Sequence, residues 1–314
     1  MSDRVLGVVP DGGEGTAQPP AAAGMVLGNH LRQLREDRGY IMADVVAARV
    51  IGSVSTLSRY ESAKTPFQEE VVVALLKFYG TTDAGELADV RELVRLSQAK
   101  QWWAGFRDVV PGCLDRLFSM ETSAEEIRTY QGFFVPGLLQ TADYARAVMK
   151  APFRKPANER AIRESERKVG RRLAVRLRRQ HLLDQTDAPH YYALLDEGIL
   201  NRPTGGKAVM RGQLRHLYNL AENKERIHIR ILPFAAAEHA AAPTSSLTLL
   251  KLPPAHGGDM VYVEATNQGG TYINDIDEME AHRAALDDLW TLAVGKKQTL
   301  ALLEQYIERL ADTE

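Results

Sequence analysis

Cysteine is almost absent from this chain of 314 residues: Cys113 stands alone. That excludes an intrachain disulfide and any zinc site built on paired thiolates, and it makes a reducing compartment the expected setting. No run of about 18 apolar residues occurs, so no membrane-crossing helix is expected. A dominant charge is lacking too. The formal net charge is −2, which excludes a generic polyanion binder. Internal repeats are absent. Catalytic signatures are equally thin. Gly205-Gly206-Lys207 is followed by Ala208 and has no Gly five residues before Gly206, which excludes a P-loop as usually built. There is no G-x-S-x-G elbow, and the eight His are scattered without an H-x-x-x-H pair. No metal, no cofactor and no enzymatic activity are expected.

The chain has ordinary globular composition, 45% apolar and 25% charged, and a length that suits about two domains. Residues 1–24 are rich in Pro, Gly and Ala, with Asp3 beside Arg4 and only a very short apolar run. They read as a flexible tail rather than a signal peptide.

Residues 25–80 carry the strongest signal. Leu27, Leu31 and Leu34 mark the apolar stripe of a first helix that Gly39 ends. A second helix over 42–50 turns Val45, Val46 and Val50 inward, and Gly52 is expected to supply the turn. Ser53 then caps a third helix in which Leu57 and Tyr60 share one face while Ser55, Thr56 and Arg59 point elsewhere. A short, capped helix with small polar residues and one Arg suits a major groove. After Thr65-Pro66, Val71, Leu75 and Phe78 give a further helix its apolar face. Between Gly24 and Gly80 seven basic residues stand against six acidic ones, so the domain is nearly neutral.

Leu27-Gly28, Leu31-Arg32, Leu34-Arg35, Ser58-Arg59-Tyr60-Glu61, Pro66 and Tyr79-Gly80 resemble the XRE, or lambda-repressor-like, helix-turn-helix. The resemblance implies an ion pair between Arg35 and Glu61. It also implies base contacts from Val54, Ser55 and Arg59, with Ser53 and Thr56 on the phosphate side. The Gln with which that family opens its second helix is replaced by Met42 or Ala43, neither of which donates a hydrogen bond.

Residues 81–116 read as a helical linker. It holds a helix over 84–100 with Leu87, Val90, Leu93 and Val94 on one side, then Trp102-Trp103, an aromatic cluster more often core or interdomain packing than a ligand box. Residues 117–314 read as an α+β domain for partner or effector binding and dimerisation. Helices are expected over 121–130, 158–183, 207–222 and 276–294, and strands over 190–195, 227–232, 246–252 and 260–264. The helix over 158–183 is basic: nine Lys or Arg between Arg160 and Arg179 stand against Glu159, Glu164 and Glu166. Such a run is a solvated face, or else a second DNA contact or the dock for an acidic partner.

Glu121-x-x-Ala124, Val135-Pro136-Gly137-Leu138-Leu139-Gln140-Thr141 with Tyr144-Ala145-Arg146, Leu195-Asp196-Glu197 and Val261-Tyr262-Val263-Glu264 resemble the WhiJ-like, antitoxin-like transcriptional regulators of actinobacteria. That resemblance implies a role in transcription and a small partner protein encoded nearby. The expected protein is a cytoplasmic, nucleoid-associated homodimer on double-stranded DNA. The alternatives are an antitoxin-like protein with autoregulatory DNA binding and an enzyme with an appended helix-turn-helix. Glu197 and Glu264 fall at expected strand ends. They read as structural carboxylates or, with Tyr191 and His239, as a candidate effector pocket. In the last helix Leu300, Leu303, Ile307 and Leu310 are spaced as a coiled-coil seam, equally suited to packing on their own domain.

Overall fold

The computed structural model describes residues 20–98, 101–110, 112–150, 158–238, 243, 245–253, 259–265, 269–273 and 275–311. They form two units divided between Trp102 and Trp103. Among the described residues no helix is long and apolar enough to cross a membrane.

The N-terminal unit is all helical: α1 (Pro20–Asp37), α2 (Met42–Ala47), α3 (Val54–Glu61), α4 (Glu69–Phe78) and α5 (Ala84–Ser97). All five helices contribute to a single core that includes Leu27, Leu31, Val45, Leu57, Tyr60, Leu75, Leu76, Val90 and Leu93. The helix that the sequence places in a linker is thus part of this core. α5 lies along α1, burying the stripe Val90, Leu93 and Val94. An amphipathic stripe specifies that a helix must be covered, not by what.

Four helices end in the same hydrogen-bonded motif, closed by a residue in the left-handed region. Gly39 and Gly80 do so after α1 and α4, where glycine costs no side-chain strain. Arg49, at φ 58°, and Ala63, at φ 51°, do so after α2 and α3. The Val50 N–H donates to Val45 O and the Lys64 N–H to Arg59 O. The turn between α2 and α3 is therefore made by Arg49; Gly52 has open space around it and no left-handed φ. α2 ends at Ala47, three residues before the sequence places its end.

The C-terminal unit is α+β. Its elements are α6 (Gly112–Glu121), β1 (Glu126–Gln131), α7 (Ala142–Lys150), α8 (Glu159–Gln180), β2 (His190–Asp196), α9 (Lys207–Asn223), β3 (Ile227–Leu232), β4 (Leu247–Lys251), β5 (Met260–Ala265), β6 (Gly269–Ile273), α10 (Ile276–Leu292) and α11 (Lys296–Arg309). The six strands run in the order β3-β2-β1-β4-β5-β6. β1, β2 and β3 are mutually parallel, and β4, β5 and β6 follow antiparallel. Alternate residues face opposite ways along each strand. Tyr130, Leu194, Leu247, Leu249 and Val261 form one core with Leu286 and Leu289 of α10. Ile127, Tyr191, Leu195, Ile229, Ile231 and Leu250 are buried at the alternate positions. β1 corrects the helix expected over 121–130: α6 stops at Glu121 and the strand begins five residues later. β6 is a strand the sequence did not announce.

The segment between β1 and α7 is irregular and largely buried, so its backbone polar groups need side-chain partners. Three glutamines serve it. Gln140 donates to Val135 O (2.6 Å), Gln180 to Gly137 O and Gln140 O (2.9 and 2.8 Å), and Gln213 to Leu139 O (2.8 Å) while accepting from the Thr141 N–H (2.7 Å). Tyr144 Oη accepts from the Val135 N–H.

Much of the charge on α8 is used within its own unit. Arg163 and Lys168 pair with Glu159 and Glu164 one turn earlier, Arg171 with Asp108, and Arg179 with the buried Glu121. Arg176 donates to Gln140 Oε1 (2.6 Å). Burial, and then the neighbouring Arg179, push its guanidinium down to about 10. α11 turns Thr299, Leu303 and Tyr306 inward and packs along α9, so Leu303 belongs to its own domain's core and not to a free seam.

Candidate nucleic-acid interface

Ser53 opens α3. Its Oγ accepts from the Thr56 N–H (3.1 Å) and lies 2.8 Å from Thr56 Oγ1. These two side chains hold each other and fix the start of the helix. Leu57, Tyr60 and Glu61 are buried, which leaves Val54, Ser55, Ser58 and Arg59 exposed on the other face. Val54, 46% exposed, is an apolar residue that the fold leaves in solvent.

The face is held from behind by Arg35. Its Nε and Nη2 donate to the two carboxylate oxygens of Glu61 (2.6 and 2.9 Å), and its Nη1 donates to Tyr40 O (2.9 Å). Both side chains of this fork are less than a tenth exposed. The hydrogen bond to Glu61 holds the Arg35 guanidinium above its ordinary range despite burial. Burial and then the Glu61 charge push Tyr79 up to about 12. α1, α3 and the α1–α2 turn are thus tied at one point.

The near-neutral charge of residues 24–80 conceals an asymmetry. Glu61 is buried and matched, so over 41–64 the exposed charges are Arg49, Arg59 and Lys64 against Asp44 alone. Asp44 is engaged, accepting from the Ile41 N–H that opens α2 (2.9 Å). Among the described residues none of the three cations has a hydrogen bond or ion pair within the chain. Arg49 was not expected to matter here; it enters the surface because the turn falls on it.

The three described residues of the expected effector pocket are not brought together. Tyr191 is buried near the start of β2, whereas Glu197 lies past its far end, six residues on or about 20 Å along an extended strand. Glu197 accepts from the Phe234 N–H and from Tyr306 Oη, both at 2.9 Å. Glu264 is exposed on β5, three strand spacings from β2, or about 14 Å. His239 lies outside the described residues. What the fold does assemble is a row of rings on the α10 side of β2 and β3: His190, Tyr192 and His228, with Trp290 of α10. β2, β3 and α10 are far apart in sequence; the register of β2 with β3 sets Tyr192 beside His228, and α10 brings Trp290 to them.

A family model described as a helix-turn-helix domain matches residues 26–90. A second, described as a domain of unknown function (DUF5753), matches residues 114–305. No curated protein and no solved structure matches the chain. The second match spans more than half of the sequence and coincides with the six-stranded α+β unit: the chain belongs to the DUF5753 family, with a helix-turn-helix domain ahead of it.

Proposed function

We propose that this protein is a sequence-specific DNA-binding transcriptional regulator of the XRE type, with α3 as its recognition helix. One observation carries the reading. α3 is locked on its inner face by Leu57, Tyr60 and the Arg35–Glu61 fork, while Val54, Ser55 and Arg59 stand free, with Arg49 and Lys64 beside them in the chain. A rigid helix with an unmatched Arg and small neighbours suits base edges in a major groove, and flanking cations suit phosphates. One groove-reading Arg supplies only about 1–3 kcal/mol of discrimination. Useful affinity therefore calls for a homodimer on a near-palindromic site, with half-sites about 34 Å apart.

The test is selection of the full chain on a randomised duplex pool, followed by anisotropy titration and light scattering of the complex. Enrichment of a near-palindrome bound by two chains is expected. A pool that fails to converge overturns the DNA reading, and one chain per site overturns the dimer.

The C-terminal unit is read as a binding module of the WhiJ-like, antitoxin-like kind rather than a catalytic one. Exposed aromatic side chains on the loops that leave β1 and β3 support a protein partner: Phe133, Phe134 and Phe234. Co-expression with the small protein encoded beside it tests this. A complex that Phe134→Ser weakens is expected, and two proteins that elute separately overturn it. A cytoplasmic, nucleoid-associated location follows from the same reading.

A further inference from the structure

We propose that the C-terminal unit holds a binding site for a planar aromatic anion at the open edge of β3. A cavity of about 420 Å³ lies there, within the size range of small-molecule sites. It is lined by Tyr192, His228, Arg230, Trp290 and Lys296 together with residues 221–225.

The first argument is the row of rings. Across the sheet the guanidinium of Arg128 on β1 lies over Tyr192 on β2 (5.5 Å), and Tyr192 stacks on His228 of β3 (4.5 Å, 21°). β3 is the edge strand, so among the described residues no further strand adds a member to the stack. The edge is closed at one end, where the Val294 N–H donates to Ile231 O (3.0 Å). Beyond that bridge the chain turns into α11. The cavity lies against this end of the row: its lining takes Tyr192 from β2, residues 227–230 from β3, Trp290, Lys296 and residues 221–225, and nothing from β1. A π-system stacks on a ring more favourably than an aliphatic group of equal area. His228 Nε2 is buried without a hydrogen-bond partner among the described residues.

The second argument is charge. Arg230 stacks on Trp290 (4.6 Å) and donates only to Trp290 O (2.8 Å). Lys296 donates only to Glu222 O (3.2 Å). Both are satisfied by neutral carbonyls, so neither cation is matched by a carboxylate among the described residues. Lys224 is held by Asp184. Glu222 and Glu225 also line the cavity, so its formal charge is Lys224, Arg230 and Lys296 against these two carboxylates, with none of the described ion pairs joining either carboxylate to Arg230 or Lys296. Two cations without an ion pair beside the edge of a ring stack favour a ring that bears a carboxylate, sulfonate or phosphate.

The probe is 2-naphthoate, titrated into the full chain by calorimetry and by tryptophan fluorescence. Saturable binding at one site is expected. Lys296→Gln and Arg230→Gln should each weaken it roughly tenfold with an unchanged melting temperature. Lys296 is exposed in the first turn of α11, so its loss leaves the core intact should Arg230→Gln disturb Trp290. The neutral 2-naphthalenemethanol and the aliphatic cyclohexanecarboxylate should each bind at least as much more weakly. No saturable binding, equal affinity for either control probe, or binding unaffected by both substitutions overturns the site. The titration contains no DNA, so its failure is separate from that of the regulator reading.

Discussion

Gly28 lies against the end of α3 so closely that a Cβ on it would sit 2.8 Å from the carbonyl oxygens of both Tyr60 and Glu61. Those are backbone atoms and cannot swing away. Gly28→Ala should therefore push α1 off α3 and destabilise the N-terminal unit by about 1–3 kcal/mol. Gly52→Ala, in open space with an ordinary φ, should stay within about 0.5 kcal/mol of the parent. Urea denaturation of the two variants checks the pair.

The Arg35–Glu61 fork gives a second prediction. Arg35→Ala leaves a buried carboxylate with no cation, at a cost of about 3–5 kcal/mol. Arg35→Met combined with Glu61→Gln should cost clearly less than the sum of the two single changes. A double-mutant cycle in thermal melts reads this coupling, and strict additivity would show that the contact carries no energy.

Two non-glycine residues close helices in a left-handed conformation. Ala63→Gly should stabilise the protein by about 1 kcal/mol, because the strain removed exceeds the entropy added. Arg49→Gly should also stabilise, and yet weaken binding to the selected DNA, since it removes a cation from the surface proposed to face it. Melting temperature and DNA affinity moving in opposite directions is the signature to look for.

At the DNA itself, Arg59→Ala should weaken specific binding by about 1–3 kcal/mol and relax preference at one base position in each half-site. Lys64→Gln should instead weaken all sequences alike and lower the salt slope by about one. Anisotropy titrations across a salt series separate the two.

His30 supplies a pH prediction. It is buried on α1, with Nε2 at 3.3 Å from Glu86 Oε1 but outside hydrogen-bond geometry. Burial holds its imidazole below the ordinary 6.5, outweighing the Glu86 charge that raises it. A His depressed in the folded state binds protons more readily once unfolded. Its contribution is complete above 6.5 and is lost as the pH falls from there toward the depressed folded value. Melts of the parent should therefore drop as the pH is lowered through this window, and His30→Gln should flatten that drop.

α3 was legible in the sequence because its signals are local: a cap at Ser53, and Leu57 and Tyr60 three residues apart. β1 was not. Ile127 and Tyr130 are also three apart, so a helical stripe and a strand with one residue on each face predict the same pair. The choice was made by β2 and β4, which bond to both of its edges. β6 opens with two glycines, poor strand formers, and Gly270 is packed so tightly against Tyr262 and Val263 that a Cβ would meet them at 2.4 Å. For α5 the stripe was read correctly and its partner was not. The basic run of α8 read as a solvated face, or else as a surface for DNA or an acidic partner, and the structure matches part of it to Glu121, Asp108 and its own glutamates. Tyr192, His228 and Trp290 carried no sequence signal at all, because a cross-strand stack is a property of register.

β1 also sets an order in time. The helices of the N-terminal unit meet partners nearby in the chain, so this unit can close once Ser97 has left the ribosome. Ile127 needs Tyr191 on one side and Leu250 on the other. Loop closure over such separations is slow, and domains fold as they emerge. During synthesis a complete helix-turn-helix therefore precedes, by most of the chain, the sheet that completes the protein, and the central strand waits in between with both edges unpaired.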